Sequence, residues 1–147
     1  MVERKIIHAT LVQMDGKGIL LTGKSGSGKS DLALRLIENK AAKLVADDMV
    51  EIFERNSKIL GNAPKNMRGL LEVRGVGIVK YPCLKNAQID MVVNLKDKPE
   101  DVERMPIIAK DIILGLEINK IDLYAKENSA PEKIAAALRK FGQDAVS

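Results

Sequence analysis

Eight consecutive residues match the pattern G-x-x-x-x-G-K-[ST] at every fixed position. They are Gly23, Lys24, Ser25, Gly26, Ser27, Gly28, Lys29 and Ser30. A glycine-rich turn of this kind lets backbone N–H groups converge on phosphate oxygens. The lysine can reach the outer phosphates, and the final hydroxyl can bind Mg²⁺. Residues 23–30, called the phosphate loop below, therefore predict a site that binds a nucleoside triphosphate, with Lys29 bound to phosphate and Ser30 to Mg²⁺.

The segments on either side of this stretch support the prediction. Residues 18–22 are apolar and strand-like, whereas Leu32, Leu36 and Ile37 recur at helical spacing between Lys29 and about Lys40. A helix that begins at the loop directs its positive end toward the same anion. The alternative, a glycine-rich turn without a ligand, does not require such flanks.

Two adjacent acids, Asp47 and Asp48, directly follow the apolar run 44–46. Enzymes that use triphosphates place carboxylates at strand ends beside the phosphate loop, where they hold Mg²⁺ or activate a nucleophile. One of the pair is expected to work with the metal, and the other to accept a proton from an attacking hydroxyl. The alternative is an aspartate-rich turn that ends the strand.

Three further polar residues are candidates on weaker grounds. Glu72 and Arg74 stand two apart in the strand-like run 70–79, so a single strand would put them on one face beside Gly75 and Gly77. Functional and structural explanations are equally open for this group. His8 is the only histidine, and a lone histidine on a strand is more often a packed core residue than a catalyst.

Composition places the chain in a broad class. Its 147 residues, 46% of them apolar, suit one domain over residues 1–147. Aromatic residues make up only 3%, which argues against base stacking and thus against single-stranded nucleic acid. One cysteine, no apolar run near the length of a membrane span and no signal peptide favour a cytoplasmic protein without a membrane partner.

The order of predicted elements indicates an α/β fold with a mixed sheet, a phosphate loop and flanking helices. A turn at residues 15–18 joins two strands, and the last helix begins at Pro131 after Ser129. The predicted strands are 6–14, 18–22, 43–46, 49–53, 58–60, 70–79, 89–95 and 116–124.

One string points to a different class. Asn119, Lys120 and Asp122 match the N-K-x-D string with which GTPases recognise guanine. No D-x-x-G follows the phosphate loop, however, and residues 117–123 alternate like an exposed strand. A GTPase is therefore the less favoured interpretation.

Four segments in combination resemble the catalytic domain of HPr kinase/phosphorylase. They are His8, residues 23–30, Val45-Ala46-Asp47-Asp48, and Leu70-Leu71-Glu72-Val73-Arg74-Gly75-Val76-Gly77-Ile78. The last is far more specific to the family than the phosphate loop. The resemblance covers about residues 6–95 and becomes looser afterwards. In length the chain is similar to the short proteobacterial form, which lacks the N-terminal domain.

The resemblance implies a fold like the nucleotide domain of phosphoenolpyruvate carboxykinase and a role for each motif residue. Lys29 would stabilise the β- and γ-phosphates, and Asp47 would accept the proton of the substrate serine. Ser30 and Glu72 would bind Mg²⁺, with Asp48 assisting the metal or the substrate. His8 would belong to the active site, and Arg104 is the match to a further family arginine.

The same resemblance implies an ATP- and Mg²⁺-dependent protein serine kinase acting on the phosphocarrier HPr or a paralogue, in the regulation of carbon or nitrogen metabolism. It also implies a homo-oligomer, usually a hexamer. The family's segment for dephosphorylation has no counterpart at residues 106–111, so the reverse reaction is in doubt, and Tyr81-Pro82-Cys83 replaces a phenylalanine-glycine run. A small-molecule kinase or phosphohydrolase, and a nucleotide-binding regulatory module without turnover, remain alternatives.

Overall fold

A computed structural model describes residues 3–107 and 109–146, which form eleven strands and two helices. The helices are α1 (Lys29–Lys40) and α2 (Ala130–Val146). The strands are β1 (Arg4–His8), β2 (Thr10–Met14), β3 (Lys17–Thr22), β4 (Lys43–Ala46), β5 (Met49–Arg55), β6 (Lys58–Asn62), β7 (Leu70–Val73), β8 (Gly77–Lys80), β9 (Ala87–Lys96), β10 (Ala109–Ile113) and β11 (Leu116–Tyr124).

Nine of these strands form one mixed sheet in the order β1-β5-β6-β9-β3-β2-β4, with β11 on β9 and β10 on β11. β3 and β11 both run parallel to β9, and the other pairs are antiparallel. β7 and β8 form a separate hairpin. The expected mixed α/β fold is confirmed, and the three parallel strands end at the edge from which the phosphate loop leaves.

The two ends of the sheet meet, because the β1–β5 pair and the β2–β4 pair are consecutive parts of one antiparallel ladder. β1 leads into β2 across Ala9, and β4 leads into β5 across Asp47 and Asp48. The register runs from His8 opposite Met49 to Leu11 opposite Ala46. The single strand predicted for residues 6–14 is therefore wrong at Ala9, where the chain passes from one end of the sheet to the other. Asp47 and Asp48 lie opposite Ala9, in the break between β4 and β5.

The curled sheet has two apolar layers. Its inner side buries residues that include Leu11, Leu20, Val50, Ile52 and Val92. The other side is covered by α1 and α2, whose Leu32, Leu36 and Ile134 pack on strand residues including Val12, Leu21 and Val93. Each strand between the layers is thus apolar on both faces. In the part of the chain described, neither helix combines the length and the apolar character needed to cross a membrane.

Three further details of the strands differ from the predictions. The run 70–79 is a hairpin, because Val76 N–H donates to the Val73 carbonyl at 2.9 Å and closes a turn between β7 and β8. β10 was not predicted, since it lies at the edge of the sheet and has no buried face to give its sequence a period. β11 is half-buried between β9 and β10 and is not an exposed strand.

Candidate active site

The phosphate loop connects the end of β3 to the first residue of α1 at Lys29. Gly23 and Gly28 have φ values of +146° and +100°, which favour glycine. A Cβ on Gly23 would lie 2.8 Å from Ser27 Oγ and 3.0 Å from the Leu95 carbonyl oxygen, so no side chain fits there. The loop is therefore tightly folded between the parallel strands and the helix.

Two polar side chains of this loop, Ser27 and Lys29, have hydrogen-bond donors that no described residue accepts. Ser27 is buried, and its hydroxyl makes no hydrogen bond with any described residue. Lys29 Nζ donates to the carbonyl oxygens of Gly23 and Lys24 at 2.9 and 3.0 Å. A phosphate oxygen, which is charged, accepts a stronger hydrogen bond from this ammonium group than either neutral carbonyl does. The loop thus has the donors that a polyphosphate requires.

Asp47 is the residue that joins this loop to the sheet. Its Oδ1 accepts hydrogen bonds from Ser30 Oγ at 2.7 Å and from Thr10 Oγ1 at 2.9 Å. Its Oδ2 accepts one from the Glu72 backbone N–H at 3.2 Å. The residue is only 6% exposed, so three donors compensate for the burial of its charge. The predicted proximity of this acid to the phosphate loop is confirmed.

Asp48 faces away from this network. It has a φ of +67°, and the Met49 N–H donates to the Asp47 carbonyl at 2.8 Å, which closes a three-residue turn around it. Its carboxylate lies 3.9 Å from His8 Nδ1, and the two side chains are 65% and 76% exposed. The structure therefore brings Asp48 to His8 at the surface, whereas Asp47 turns inward.

Glu72 and Arg74 do not share a strand face as predicted. Glu72 lies on β7, where its backbone contacts Asp47 and its carboxylate is exposed. Arg74 and Gly75 lie in the turn after β7, and Gly75 and Gly77 have φ values of +87° and +115°. The glycines allow this turn, and their proposed role beside a ligand is not required to explain them.

Arg104 is not brought to the loop by any contact seen in the structure. It is exposed in the segment between a short 3-10 turn at Pro99–Asp101 and β10. Neither a hydrogen bond nor an ion pair connects it with another of the described residues. Its role remains a prediction.

The oxygen donors near the loop suit Mg²⁺. Ser30 donates its proton to Asp47, so the lone pairs of its Oγ stay available to a cation, and the exposed Glu72 carboxylate belongs to the strand beside Asp47. Among the described residues, no three acidic, histidine or cysteine side chains cluster as a metal site by themselves. This arrangement fits Mg²⁺, which protein sites usually bind with one or two carboxylates together with phosphates and water.

Two polar residues near the site were missed by the sequence analysis. Thr10 is fully buried in an apolar strand and donates to Asp47. Arg35 on α1 donates to the carbonyl oxygens of Ala125, Glu127 and Asn128 at 2.6, 2.7 and 3.1 Å, which fixes the segment after β11 beside the phosphate loop. A hydroxyl within an apolar strand was the available signal for Thr10, because such a group needs a partner.

Comparison with known proteins decides the family. A profile for the HPr Serine kinase C-terminal domain matches residues 1–143. The chain belongs to this family. The resemblance inferred from the motifs is thereby confirmed, and the GTPase interpretation is rejected, since Asn119 and Asp122 lie inside β11 and not in a loop after it.

Sequence relatives and one solved structure extend the match. The HPr kinase/phosphorylases of Clostridium tetani and Bacillus subtilis are 41% and 38% identical over 128 residues, or 80% of this chain and 41% of each relative. The chain thus spans about two fifths of these relatives. The HPr(Ser) kinase/phosphatase of Coxiella burnetii is 26% identical and superposes with a TM-score of 0.83, covering 97% of this chain and 99% of that one.

Proposed function

We propose that this chain is an ATP- and Mg²⁺-dependent protein serine kinase that phosphorylates HPr or a similar phosphocarrier. The observation that carries the proposal is the 2.7 Å contact between Ser30 of the phosphate loop and the Asp47 carboxylate. It holds an acid capable of accepting a proton next to the loop that would bind the transferred phosphoryl group. Family membership supplies the class of substrate.

In the proposed reaction Asp47 removes the proton from a serine hydroxyl of the phosphocarrier. The serine oxygen forms a bond to the γ-phosphorus while the bond from that phosphorus to the bridging oxygen breaks, which releases ADP. Lys29 leaves the carbonyls of Gly23 and Lys24 to bind the phosphate oxygens. Positioning and charge stabilisation of this kind account for most of the catalysis in phosphoryl transfer.

Ser30, assisted by Glu72 or Asp48, would hold Mg²⁺. The metal, when bound, supplies positive charge that neutralises the phosphate oxygens. Glu72 is a better candidate for this metal ligand than Asp48, because the Glu72 backbone contacts Asp47 whereas the Asp48 side chain faces His8. His8, which is exposed beside Asp48, is proposed to act in the active site, and Arg104 is proposed to join the site when substrates bind.

The direction of the reaction and the cellular setting belong to the same proposal. Residues 106–111 lack the family's dephosphorylation segment, which favours transfer to serine over its reversal. The kinase would regulate carbon or nitrogen metabolism in the cytoplasm as a homo-oligomer, without nucleic acid or membrane partners.

Incubation of the purified chain with γ-labelled ATP, with and without HPr, tests the proposal. The expected result is Mg²⁺-dependent label on a serine of HPr, which disappears when that serine is replaced by alanine. Free labelled phosphate that is independent of HPr would indicate a phosphohydrolase. Bound nucleotide without turnover would indicate a regulatory module, and either outcome would overturn the kinase.

A further inference from the structure

The hydroxyl group of Thr10 is buried and donates a hydrogen bond to Asp47. The residue begins β2 and is 0% exposed, as are its neighbours Ala9 and Leu11. A hydroxyl in such surroundings is costly unless it forms a hydrogen bond. Thr10 Oγ1 donates to Asp47 Oδ1 at 2.9 Å, across the break in the ladder that connects β1–β2 with β4–β5.

The donors are unevenly divided between the two oxygens of Asp47. Oδ1 receives both hydroxyls, from Thr10 and Ser30, whereas Oδ2 receives only the Glu72 N–H at the longer distance of 3.2 Å. Each carboxylate oxygen has about two acceptor sites. Oδ1 is therefore fully occupied, and Oδ2 retains the capacity to accept another proton.

From this division we infer that Thr10 is a positioning residue, which anchors Oδ1 of Asp47 so that Oδ2 is the atom that accepts the serine proton. The inference rests on the proposed function. Thr10 and Ser30 are not equivalent anchors, because Ser30 belongs to the phosphate loop and would contact Mg²⁺ when the nucleotide binds. Thr10 belongs to the buried sheet, and it holds Asp47 in place while Ser30 changes partners.

Two substitutions separate the hydroxyl from the bulk of the side chain. Thr10→Val keeps the shape and removes the donor, whereas Thr10→Ser keeps the donor and removes a methyl group. Thr10→Val is expected to lower kcat for HPr phosphorylation roughly 10- to 100-fold, with the KM for ATP within about twofold of wild type, because a misplaced base slows transfer without changing phosphate binding. Thr10→Ser is expected to restore most of kcat.

Ile59→Val serves as the control for general loss of stability. Ile59 is buried in the inner layer of the sheet and is absent from the hydrogen-bond network of Asp47. It should lower Tm and leave kcat unchanged. If Thr10→Val fails to fold, Thr10→Ala also lacks the hydroxyl and takes its place.

The inference is overturned if the valine variant keeps the wild-type kcat, if serine does not restore it, or if the whole loss lies in the KM for ATP. A wild-type chain that does not phosphorylate HPr overturns the proposed function instead. In that case crystal structures of the variants decide the anchoring role. The Asp47 carboxylate should be displaced from its wild-type position in Thr10→Val and stay in that position in Thr10→Ser, and an unmoved Asp47 in Thr10→Val would refute the anchor.

Discussion

The ammonium group of Lys29 donates a hydrogen bond to the carbonyl oxygen of Gly23 at 2.9 Å, so the lysine folds back over its own loop. A second bond to Lys24 completes the contact. The Lys29 ammonium group thus lies within the loop, where phosphate oxygens would replace the two carbonyls as its acceptors. Lys29 consequently stabilises the fold of the loop, and we expect it to exchange these two bonds for bonds to phosphate oxygens.

Replacement of Lys29 by methionine removes the charge and keeps the length of the side chain. We expect ATP affinity to fall roughly tenfold or more and phosphorylation of HPr to be lost, because a charged hydrogen bond to phosphate contributes about 1.5–3 kcal/mol. Isothermal titration calorimetry and the transfer assay measure the two effects. Unchanged ATP affinity would show that Lys29 does not reach the phosphates.

Asp47→Asn tests the proton acceptor. The amide oxygen can keep the bonds from Ser30 and Thr10, so nucleotide affinity should stay near wild type while kcat falls about 10²- to 10⁴-fold. Asp48→Asn is the matched control, since it removes the adjacent exposed charge, and its loss should be much smaller. Equal loss of ATP binding in Asp47→Asn would make Asp47 a metal or structural residue.

Gly18→Ala should be strongly destabilising. An added Cβ would lie 1.8 Å from the Gln88 carbonyl oxygen, where β3 and β9 change register, and this backbone cannot move aside. We expect a loss of about 3 kcal/mol or more in the free energy of unfolding, measured by chemical denaturation. Gly142→Ala on α2 is the control, because nothing lies within 4 Å of its Cβ and stability should be equal or higher. A Gly18 variant as stable as wild type would contradict this register.

Asp90 makes stability depend on pH. Burial raises the pKa of its carboxyl above the ordinary 3.8, and the Gly18 N–H and two lysines oppose this only partly. The folded protein therefore holds this proton more tightly than the unfolded chain. The contribution of Asp90 to stability is complete below 3.8 and is lost as pH rises through the folded pKa.

Asp90→Asn should accordingly flatten the pH dependence of the free energy of unfolding above 3.8 and keep the bond from Gly18. Asp90→Ala should also flatten it but cost about 1 kcal/mol, because the Gly18 N–H loses its acceptor. Denaturation curves at several pH values measure both. A steeper pH dependence in Asp90→Asn would reverse the sign assigned to this carboxyl.

Arg35→Met tests the attachment of residues 125–128 to α1. Three carbonyls lose their donor, so amide hydrogen exchange in this segment should accelerate and stability should fall by about 1–3 kcal/mol. Arg139→Met on α2 is an exposed control that should leave exchange at 125–128 unchanged. Unaltered exchange in Arg35→Met would mean that the segment is held by packing alone.

Local patterns predicted much of this molecule correctly. The glycine-rich loop between β3 and α1, α1 itself and the turn at Asp15 and Gly16 each depend on neighbours in sequence, and both turn residues have the positive φ that such a hairpin requires. The bond from Thr10 to Asp47 spans 37 residues, and no local pattern contains it. The same applies to the parallel pairing of β11 with β9, which only the complete sheet defines.

The turn around Asp48 limits which substitutions the adjacent acids Asp47 and Asp48 can tolerate during evolution. The left-handed backbone of Asp48 turns its side chain away from that of Asp47, so one carboxylate belongs to the interior and its neighbour to the solvent. A lost acid at position 47 cannot be rescued by the one beside it, however similar the two are in chemistry. Two adjacent aspartates in the sequence therefore do not provide two interchangeable carboxylates in the site.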